Sequence, residues 1–174
     1  MILTNVKNAM TTLEPIAITD TDYAVKGFHL DVQVTPDQVV DAVEVLNQEA
    51  FTLEAVTGVD LLTFDKAAKK KPAKKTDEEA AAPPPPPEKK PDPQMEVVYD
   101  FSHWDTLCRV VIRARIPRDN PEIPTISGVF SGANWHERET HDFFGIKFIG
   151  HPDLKPLLLP EDADYHPLLK DFKV

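Results

Sequence analysis

The sequence predicts an α+β domain: a mostly antiparallel sheet with a helix packed on one face, a C-terminal helix and an extended C-terminal arm. Three observations predict this class. Several short segments alternate apolar and polar residues, as half-buried strands do. One segment between the strands carries apolar residues at helical spacing. The residues beyond position 145 are rich in both leucine and proline, a composition typical of neither a helix nor a solvated tail.

The first part of the domain, residues 1–65, is predicted to contain a strand, a helix and a second strand. In 28–34 every second residue is apolar, which predicts a half-buried strand. The sequence from Thr35 to Gln38 is typical of a helix start, with a capping threonine, a proline at the first helical position and a glutamine at the third. We therefore expect a helix over 36–49. The pattern in residues 1–20 assigns no element.

Three further strands are predicted, at 51–57, 95–101 and 107–116. Gly58 is expected to close the first of them. The last one has a uniformly apolar even-numbered face that includes Cys108, and an odd-numbered face that carries three arginines. This pattern indicates that one sheet face lies on the core and the other faces water or a partner. Cys108 is therefore interpreted as a core residue rather than a reactive thiol.

Residues 66–94 separate the two parts of the domain and differ sharply in composition. They contain eight prolines and eight lysines, with no aromatic residue and no aliphatic residue larger than alanine. Because nothing here can be buried to offset the entropy of ordering, the sequence predicts a disordered or polyproline linker. The linker carries a net charge of +3, so the remainder carries −13. A remote alternative is that Pro83–Pro87 is a ligand for a recognition domain, which would make the protein a free-standing adaptor.

Charge and cysteine content exclude several functions. A net charge of −10 argues against nucleic-acid binding, which needs a basic surface. One cysteine cannot form an intramolecular disulfide, and a cluster held by this chain alone would usually need four thiolates. We therefore expect no cofactor in this chain. No run of about 18 apolar residues is present, and we expect a cytoplasmic protein that reaches a membrane only through partners.

The second part of the domain, 95–145, is expected to end in a helix. Pro117, Pro121 and Pro124 are expected to end the sheet. The helix is predicted from Ser131 to Phe144, with Gly145 as the residue that terminates it.

The polar residues of this helix raise two possibilities, a metal site and an ion-pair network. His136 and His141 resemble part of a metalloprotease motif, but five residues place them about 140° apart, so a regular helix cannot hold one metal with both. A hydrolase with a His/Glu cluster is therefore disfavoured. Arg138 and Asp142 are four residues apart and are expected to pair along the helix. Glu137 and Glu139, with Arg138, are expected to form an ion-pair network, internal or across an interface.

Residues 146–174 are predicted to form an extended docking arm. Its prolines prevent a helix, while its leucines and aromatic residues are too numerous for a solvated tail. The arm is expected to insert these side chains into a surface, either of its own domain or, as we favour, of a partner. His151, in a Gly-His-Pro sequence, is interpreted as a turn residue with a satisfied imidazole rather than a proton relay.

The C-terminal third resembles the signature of the 30 kDa subunit family of complex I, the NADH:quinone oxidoreductase, which includes the corresponding subunit of energy-converting [NiFe] hydrogenases. The matching positions, which we also take as the candidate partner interface, are Trp135, Glu137, Arg138, Glu139, Asp142, Phe143, Phe144, Gly145, His151, Pro152, Asp153, Leu157, Leu158, Leu159, Pro160, Lys170 and Asp171. The resemblance is clear over 124–172 and weaker over 28–64. His141 stands where the family usually has tyrosine, and Leu169 where it has arginine.

The resemblance implies a non-catalytic subunit on the hydrophilic arm of a membrane-bound oxidoreductase, docked on the large hydrogenase-like subunit and near an iron–sulfur subunit. Iron–sulfur clusters, and possibly nickel–iron or flavin groups, are then expected in the partners. The protein would be peripheral, on the cytoplasmic side of the cell membrane. The compact folded part and the sequence from His141 to Phe144 favour the hydrogenase or ferredoxin-linked branch. The corresponding subunit of a respiratory NADH:quinone oxidoreductase is the alternative.

Overall fold

The computed structural model describes residues 2–63 and 92–173. The described elements are α1 Ile2–Thr11, β1 Ala17–Asp20, α2 Tyr23–Lys26, β2 Leu30–Val34, α3 Val39–Gln48, β3 Thr52–Asp60, β4 Gln94–His103, β5 Cys108–Pro117, β6 Glu122–Pro124, α4 Ala133–Phe144 and β7 Lys147–Ile149. The predicted α+β class is confirmed. Most of the predicted linker lies outside the described residues, and its last predicted residue, Gln94, is the first residue of β4.

Five strands form one mixed sheet in the order β1-β2-β5-β4-β3. Three of its four pairings are antiparallel, as predicted, whereas β2 and β5 pair in parallel with Val32 opposite Ile112. The long antiparallel hairpin of β4 and β5 places Tyr99 opposite the same Ile112. The sheet therefore has two edges, β1 and β3, and α4 lies against the β3 edge.

The core lies between the inward face of this sheet and the helices. α3 buries Val39, Ala42, Val43 and Leu46 along one side, at the helical spacing seen in the sequence. A short 3-10 turn at Pro36–Gln38 precedes this helix, and the Gln38 side chain accepts a hydrogen bond from the Thr35 N–H at 3.1 Å, as a capping box requires.

Cys108 is a core residue, as predicted. Its side chain belongs to the buried apolar cluster, and burial raises the pKa of its thiol to about 11. The thiol is therefore kept in its unreactive protonated form at neutral pH.

The outward sheet face carries the predicted arginines, each paired with an acid on another strand of the sheet. Arg109 pairs with Glu54, and Arg113 bridges Asp31 on β2 and Glu96 on β4 at 3.1 Å each. Cross-strand pairs of opposite charge stabilise a sheet modestly. Much of the charge on this face is thus paired within the sheet.

One sequence expectation about the strands is wrong, and another holds only for the main sheet. Gly58 does not close a strand but lies inside β3, where a Cβ atom would approach the Phe144 ring to 2.8 Å. The main sheet ends at Pro117 as expected, but Glu122–Pro124, between the later prolines, pairs in parallel with Lys147–Ile149 in a second, two-stranded sheet. Such a short edge pairing tolerates proline because its missing N–H falls on the side away from the ladder.

Candidate docking surface of the C-terminal helix and arm

α4 is fixed against the β3 edge of the main sheet. The Thr140 hydroxyl donates to the Val56 carbonyl at 3.2 Å, and Phe144 lies over Gly58. Gly145 ends the helix as predicted, with a left-handed φ of 74° that glycine adopts without strain. The chain thereby turns into β7, and the first residue of the arm, Ile146, is buried in the core.

Glu137 is fully buried on the inward side of α4. It accepts a hydrogen bond at 2.7 Å from the Ile126 N–H and another from the Thr125 hydroxyl, both in the segment before the helix. Burial raises the pKa of Glu137 to about 7, against the opposing effect of these two hydrogen bonds. Burial, together with the charge of Glu137, also raises the pKa of Tyr99.

His151 joins this buried group from the other side. Its Nδ1 accepts from the Asp153 N–H at 3.1 Å, so Nε2 carries the hydrogen and donates to the Asn134 carbonyl at 3.3 Å. The same Nε2 lies 3.8 Å from a carboxylate oxygen of Glu137, and both side chains are completely buried. His151 is thus a turn residue with a satisfied imidazole, as expected, and it connects the start of the arm to the helix.

Asp142 holds the middle of the arm. One of its carboxylate oxygens accepts hydrogen bonds from three successive N–H groups, those of Leu157, Leu158 and Leu159, at 2.8, 2.7 and 3.2 Å. Burial raises the pKa of Asp142, but the three N–H donors outweigh it and hold that pKa below its ordinary value. Hydrogen bonds to a charged acceptor are the stronger kind, so this contact fixes the path of the arm.

Arg138 holds the segment immediately before. Its guanidinium donates to the carbonyls of Lys155 and Pro156 at 2.9 and 3.0 Å and lies over the Trp135 ring at 5.7 Å. The expected ion pair between Arg138 and Asp142 is therefore wrong for the described structure. Both side chains bind arm backbone instead, because they project from one side of α4 onto adjacent stretches of the arm.

The end of the arm is held by the sheet. Asp60, buried at the end of β3, accepts from the Lys170 N–H at 3.0 Å and pairs with Arg118, which also pairs with Asp171. Burial raises the pKa of Asp60, but the hydrogen bonds from Arg118, Lys170 and Leu62 outweigh burial and hold that pKa below its ordinary value. Lys170 and Asp171, predicted from the signature alone, therefore contact the body of the domain.

His166 lies over the end of α4, between the part of the arm held by Asp142 and the part held by Asp60. His166 donates from Nδ1 to the Asp142 carbonyl at 2.8 Å, and its ring lies where a Cβ of Gly145 would stand, 2.7 Å away. His141 donates likewise to the Ile146 carbonyl at 2.9 Å. Gly145 is thus required both for its left-handed φ and for the close approach of the arm.

While its backbone is held, the arm presents apolar side chains outward. We call these side chains, together with that of Trp135 on α4, the arm surface; its members are Trp135, Leu158, Tyr165, Leu168 and Phe172, with exposed fractions of 63, 61, 42, 53 and 36%. Beside it, a groove of about 290 Å³ runs between β3 and α4 and is lined mainly by apolar atoms of Val56, Phe143, Phe144 and Leu168. Exposed apolar side chains beside an apolar groove are typical of an interaction surface.

The predicted site residues therefore fall into three groups. Glu137 and His151 meet inside the domain, while Arg138, Asp142, Lys170 and Asp171 hold the arm to it. Trp135, Leu158, Glu139 and the groove residues Phe143 and Phe144 face outward or line the groove. The expected network of Glu137, Arg138 and Glu139 is not present among the described residues, since these three side chains point to different surroundings. Pro152, Asp153 and Pro160 are exposed, and Leu157 and Leu159 are half-buried.

Three residues of this site were missed from sequence. Thr125 and Arg118 belong to irregular segments with no periodic pattern, and each finds its acidic partner only through the tertiary fold. His166 is followed by proline, which marks a turn but gives no indication of a contact with Gly145. The alternative that the arm packs on its own domain is correct for the backbone, and for Leu154 and Leu169, which pack against the core.

Within residues 2–63 and 92–173, no three His, Cys, Asp or Glu side chains are grouped so that they could hold a metal ion. None of the helices described there is long and apolar enough to cross a bilayer.

Comparison with known proteins places the chain in a family. Residues 32–174 match the family model described as "Respiratory-chain NADH dehydrogenase, 30 Kd subunit". A subunit of the NADH-quinone oxidoreductase of Roseiflexus castenholzii is 33% identical over 146 residues, which cover 82% of this chain and 68% of that protein. A subunit of the F(420)H(2) dehydrogenase of Methanosarcina mazei is 44% identical over 81 residues, 46% of this chain and 51% of the relative. The match thus spans only about half the length of some curated relatives.

Solved structures agree in fold. The trypsin-resistant fragment (1-134) of Nqo5 superposes with a TM-score of 0.62 at 26% identity, covering 88% of this chain and all of the fragment. A chain of the archaeal membrane-bound sulfane sulfur reductase superposes with a TM-score of 0.69 over 97% of this chain and 83% of its own, and at 20% identity it supports the fold alone. From the family model and the Roseiflexus relative together, this chain belongs to the family of the 30 kDa subunit of respiratory-chain NADH dehydrogenases.

Proposed function

We propose that the protein is a non-catalytic peripheral subunit of a membrane-bound, complex I-like oxidoreductase, and that it docks on the large hydrogenase-like subunit through the arm surface. The observation that carries the proposal is the contrast within the arm. The backbone of the arm is held by Arg138, Asp142 and Asp60, while its Leu168 side chain remains exposed, as does Trp135 on α4. Residues held this firmly with their apolar side chains outward are pre-ordered for binding, so little entropy is lost on association.

The family membership supports a place in such a complex. Relatives carry the names of subunits of NADH-quinone oxidoreductases and of an F(420)H(2) dehydrogenase, which use different electron donors. A subunit shared by complexes with different donors is suited to a structural role at the shared part of the assembly. In this proposal the iron–sulfur, nickel–iron or flavin groups belong to partner subunits, among them an iron–sulfur subunit beside this one, and the chain reaches the cytoplasmic side of the membrane only through them.

Two branches remain as candidates for the whole complex. The sequence from His141 to Phe144 favours the hydrogenase or ferredoxin-linked branch. The second candidate, an NADH:quinone oxidoreductase, is favoured by the name and coverage of the Roseiflexus castenholzii relative. Purification of the native complex separates them. A partner that binds both flavin and NADH indicates the second, and a large subunit containing nickel indicates the first.

The docking proposal is tested by removing the arm surface without disturbing the fold. The double variant Trp135→Ala with Leu168→Ser changes two side chains that are 63 and 53% exposed, so its stability should stay close to that of the native chain. We expect it to lose co-purification with the co-expressed large subunit, because exposed aromatic side chains at interfaces carry a large share of binding energy.

A matched control is available at the β4–β5 turn. Trp104 and Leu107 are exposed by 70 and 78%, similar to the test pair, but lie outside the arm surface. The variant Trp104→Ala with Leu107→Ser should therefore retain the large subunit. Full retention by the Trp135 and Leu168 variant, with loss in this control, would contradict the proposal and place the interface at the turn.

A further inference from the structure

A second groove lies on the outward face of the main sheet, away from the arm. It has a volume of about 520 Å³ and is lined by residues of β1, β2, β4 and β5 and of the segment around α2. Ala17 and Thr19 of β1 form one wall, so the groove opens at the edge of the sheet. The proposed docking surface makes no use of it.

The hydrogen-bonding groups left over in this groove are mainly donors. Asp31 accepts from Nε of Arg113, and Glu96 accepts from Nη1 of Arg113 and Nε of Arg115. The two terminal nitrogens of Arg115 have no partner in the part of the chain that the structure describes, and this side chain is 50% exposed. Since a guanidinium offers five N–H donors and no acceptor, the remaining capacity suits carboxylates.

The charge of the groove also contrasts with that of the rest of the chain. Arg113, Arg115 and the exposed Lys26 outnumber the two carboxylates, which already accept from the arginines. The chain outside 66–94 carries a net charge of −13. A cationic groove in an acidic protein attracts an acidic ligand and repels a basic one.

The sheet edge beside the groove offers backbone groups as well. Among the described residues β1 pairs with β2 alone, whereas the opposite edge strand, β3, is covered by α4. Ile16, immediately before β1, is 58% exposed. An unpaired edge strand presents a row of N–H and C=O groups that an extended segment can pair with.

We propose that β1 and this groove together bind an extended acidic segment of a partner protein. The segment pairs with the outer edge of β1 as an added strand, and its acidic side chains, which occupy alternate positions, reach Arg115 and Lys26. Ala17 and Thr19 belong both to the edge strand and to the wall of the groove, so a segment added along β1 lies beside the groove that Arg115 also lines.

The proposal is tested with the full chain and a short fluorescein-labelled peptide in which threonine and glutamate alternate, by fluorescence anisotropy at low salt. We expect saturable binding that weakens with added salt, as charge attraction is screened. The same peptide with glutamine in place of glutamate should bind at least about tenfold more weakly. Absence of saturable binding by the acidic peptide, or equal binding of the glutamine peptide, overturns the proposal.

Strand addition is tested separately, without altering the protein. Two acidic peptides are methylated on backbone nitrogens, one at the odd positions and one at the even positions. Since only alternate N–H groups of an added strand face the sheet, one peptide should lose binding and the other retain it. Equal binding of both peptides overturns strand addition.

A protein variant locates the site. Arg115→Met removes the unused donors from a half-exposed position and should weaken the acidic peptide at least about tenfold. Lys155→Met is the control, because Lys155 is a 75% exposed cation on the arm. Equal weakening by the two variants would show non-specific charge attraction and overturn the assignment to this groove.

Discussion

The sheet and the arm are held in place by different forces. In the sheet, inward side chains such as Val32, Tyr99 and Ile112 are completely buried and pack against each other and against α3. Beyond Gly150 the arm contains no helix or strand among the described residues, and polar side chains of the domain bind its backbone. The comparison teaches that an irregular segment can be ordered by a few charged groups where a continuous apolar core is lacking.

The largest effect that distinguishes the two regions should come from Asp142→Ala. Three N–H groups lose a charged acceptor, and we expect a loss of about 4 kcal/mol in unfolding free energy, concentrated in the arm. Hydrogen exchange should accelerate at the amides of Leu157, Leu158 and Leu159, while amides of β4 and β5 stay protected. Thermal unfolding measures the loss of stability, and residue-resolved hydrogen exchange shows whether that loss is confined to the arm.

Asp153→Ala is the matched control, since that exposed carboxylate pairs only with Lys155 at 3.4 Å within the described chain. Acid gives an independent check. The pKa values of Asp142 and Asp60 are lowered in the folded state, so their stabilisation is present above the ordinary aspartate pKa and is lost as the pH falls through the folded values. Loss of sheet and arm amide protection at the same acid pH would contradict the separation of the two regions.

Glu137→Gln should produce the next largest effect, in the pH dependence of stability. The pKa of Glu137 is about 7 in the folded state against an ordinary 4.5. Between these values the folded state binds a proton that the unfolded state does not, so native stability falls as the pH rises from 4.5 to 7. The variant lacks this carboxylate. The difference in unfolding free energy between the native chain and the variant should therefore change by up to about 3 kcal/mol between pH 4.5 and 7.

The measurement is denaturant unfolding at several pH values. Glu139→Gln, an exposed carboxylate on the same helix, serves as the control and should follow the native curve. Parallel curves for the native chain and Glu137→Gln would mean that the carboxylate of Glu137 is not protonated in this range.

Gly58→Ala tests the contact between the two regions. Its new methyl group would lie 2.8 Å from the Phe144 ring, so α4 must shift away from β3, at a cost of about 2 kcal/mol in unfolding free energy. Gly128→Ala is the control, because a Cβ there meets nothing within 4 Å. The measurement is denaturant unfolding. A similar change in the unfolding midpoint for both variants would show that α4 does not lie closely on β3.

The smallest effect is expected from Arg138→Met. It removes two hydrogen bonds to the carbonyls of Lys155 and Pro156 from a half-buried position, and solvent can partly replace them. We expect a loss of about 1 kcal/mol in denaturant unfolding. Lys147→Met, which removes an exposed pair with Glu122, should change stability by less. A larger loss from Lys147→Met would contradict the importance assigned to the Arg138 contacts.

The two regions also differ in how far the sequence predicts them. β2, β4 and β5 were predicted from alternation alone, because period two reflects burial of one sheet face. The parallel pairing of β2 with β5 was not predicted, since pairing between distant strands leaves no local pattern. α1 was missed, although Val6 and Met10, its buried residues, are spaced four apart as on a helix.

In the candidate site, residue identities were predictable and their partners were not. The signature marked Arg138 and Asp142, but the spacing rule for helices paired them with each other. In the structure, carbonyl and N–H groups of the arm, brought close by the turn after Gly145, are better partners for each. The burial of Glu137 has no signal in the sequence either, because it depends on contacts with Thr125 and Ile126 as much as on the helix itself.

The contacts of Arg138 and Asp142 with the arm reach main-chain atoms rather than side chains. Every amino acid except proline supplies the N–H groups that Asp142 needs, and every amino acid supplies the carbonyls that Arg138 needs. The path of the arm is thus set by two side chains of α4. The side chains of Leu157 and Leu158 take no part in these hydrogen bonds, so they are free to vary with the partner that they contact. Proteins with this arrangement can therefore acquire different partners by substitution of those side chains, while the backbone path of the arm is unchanged.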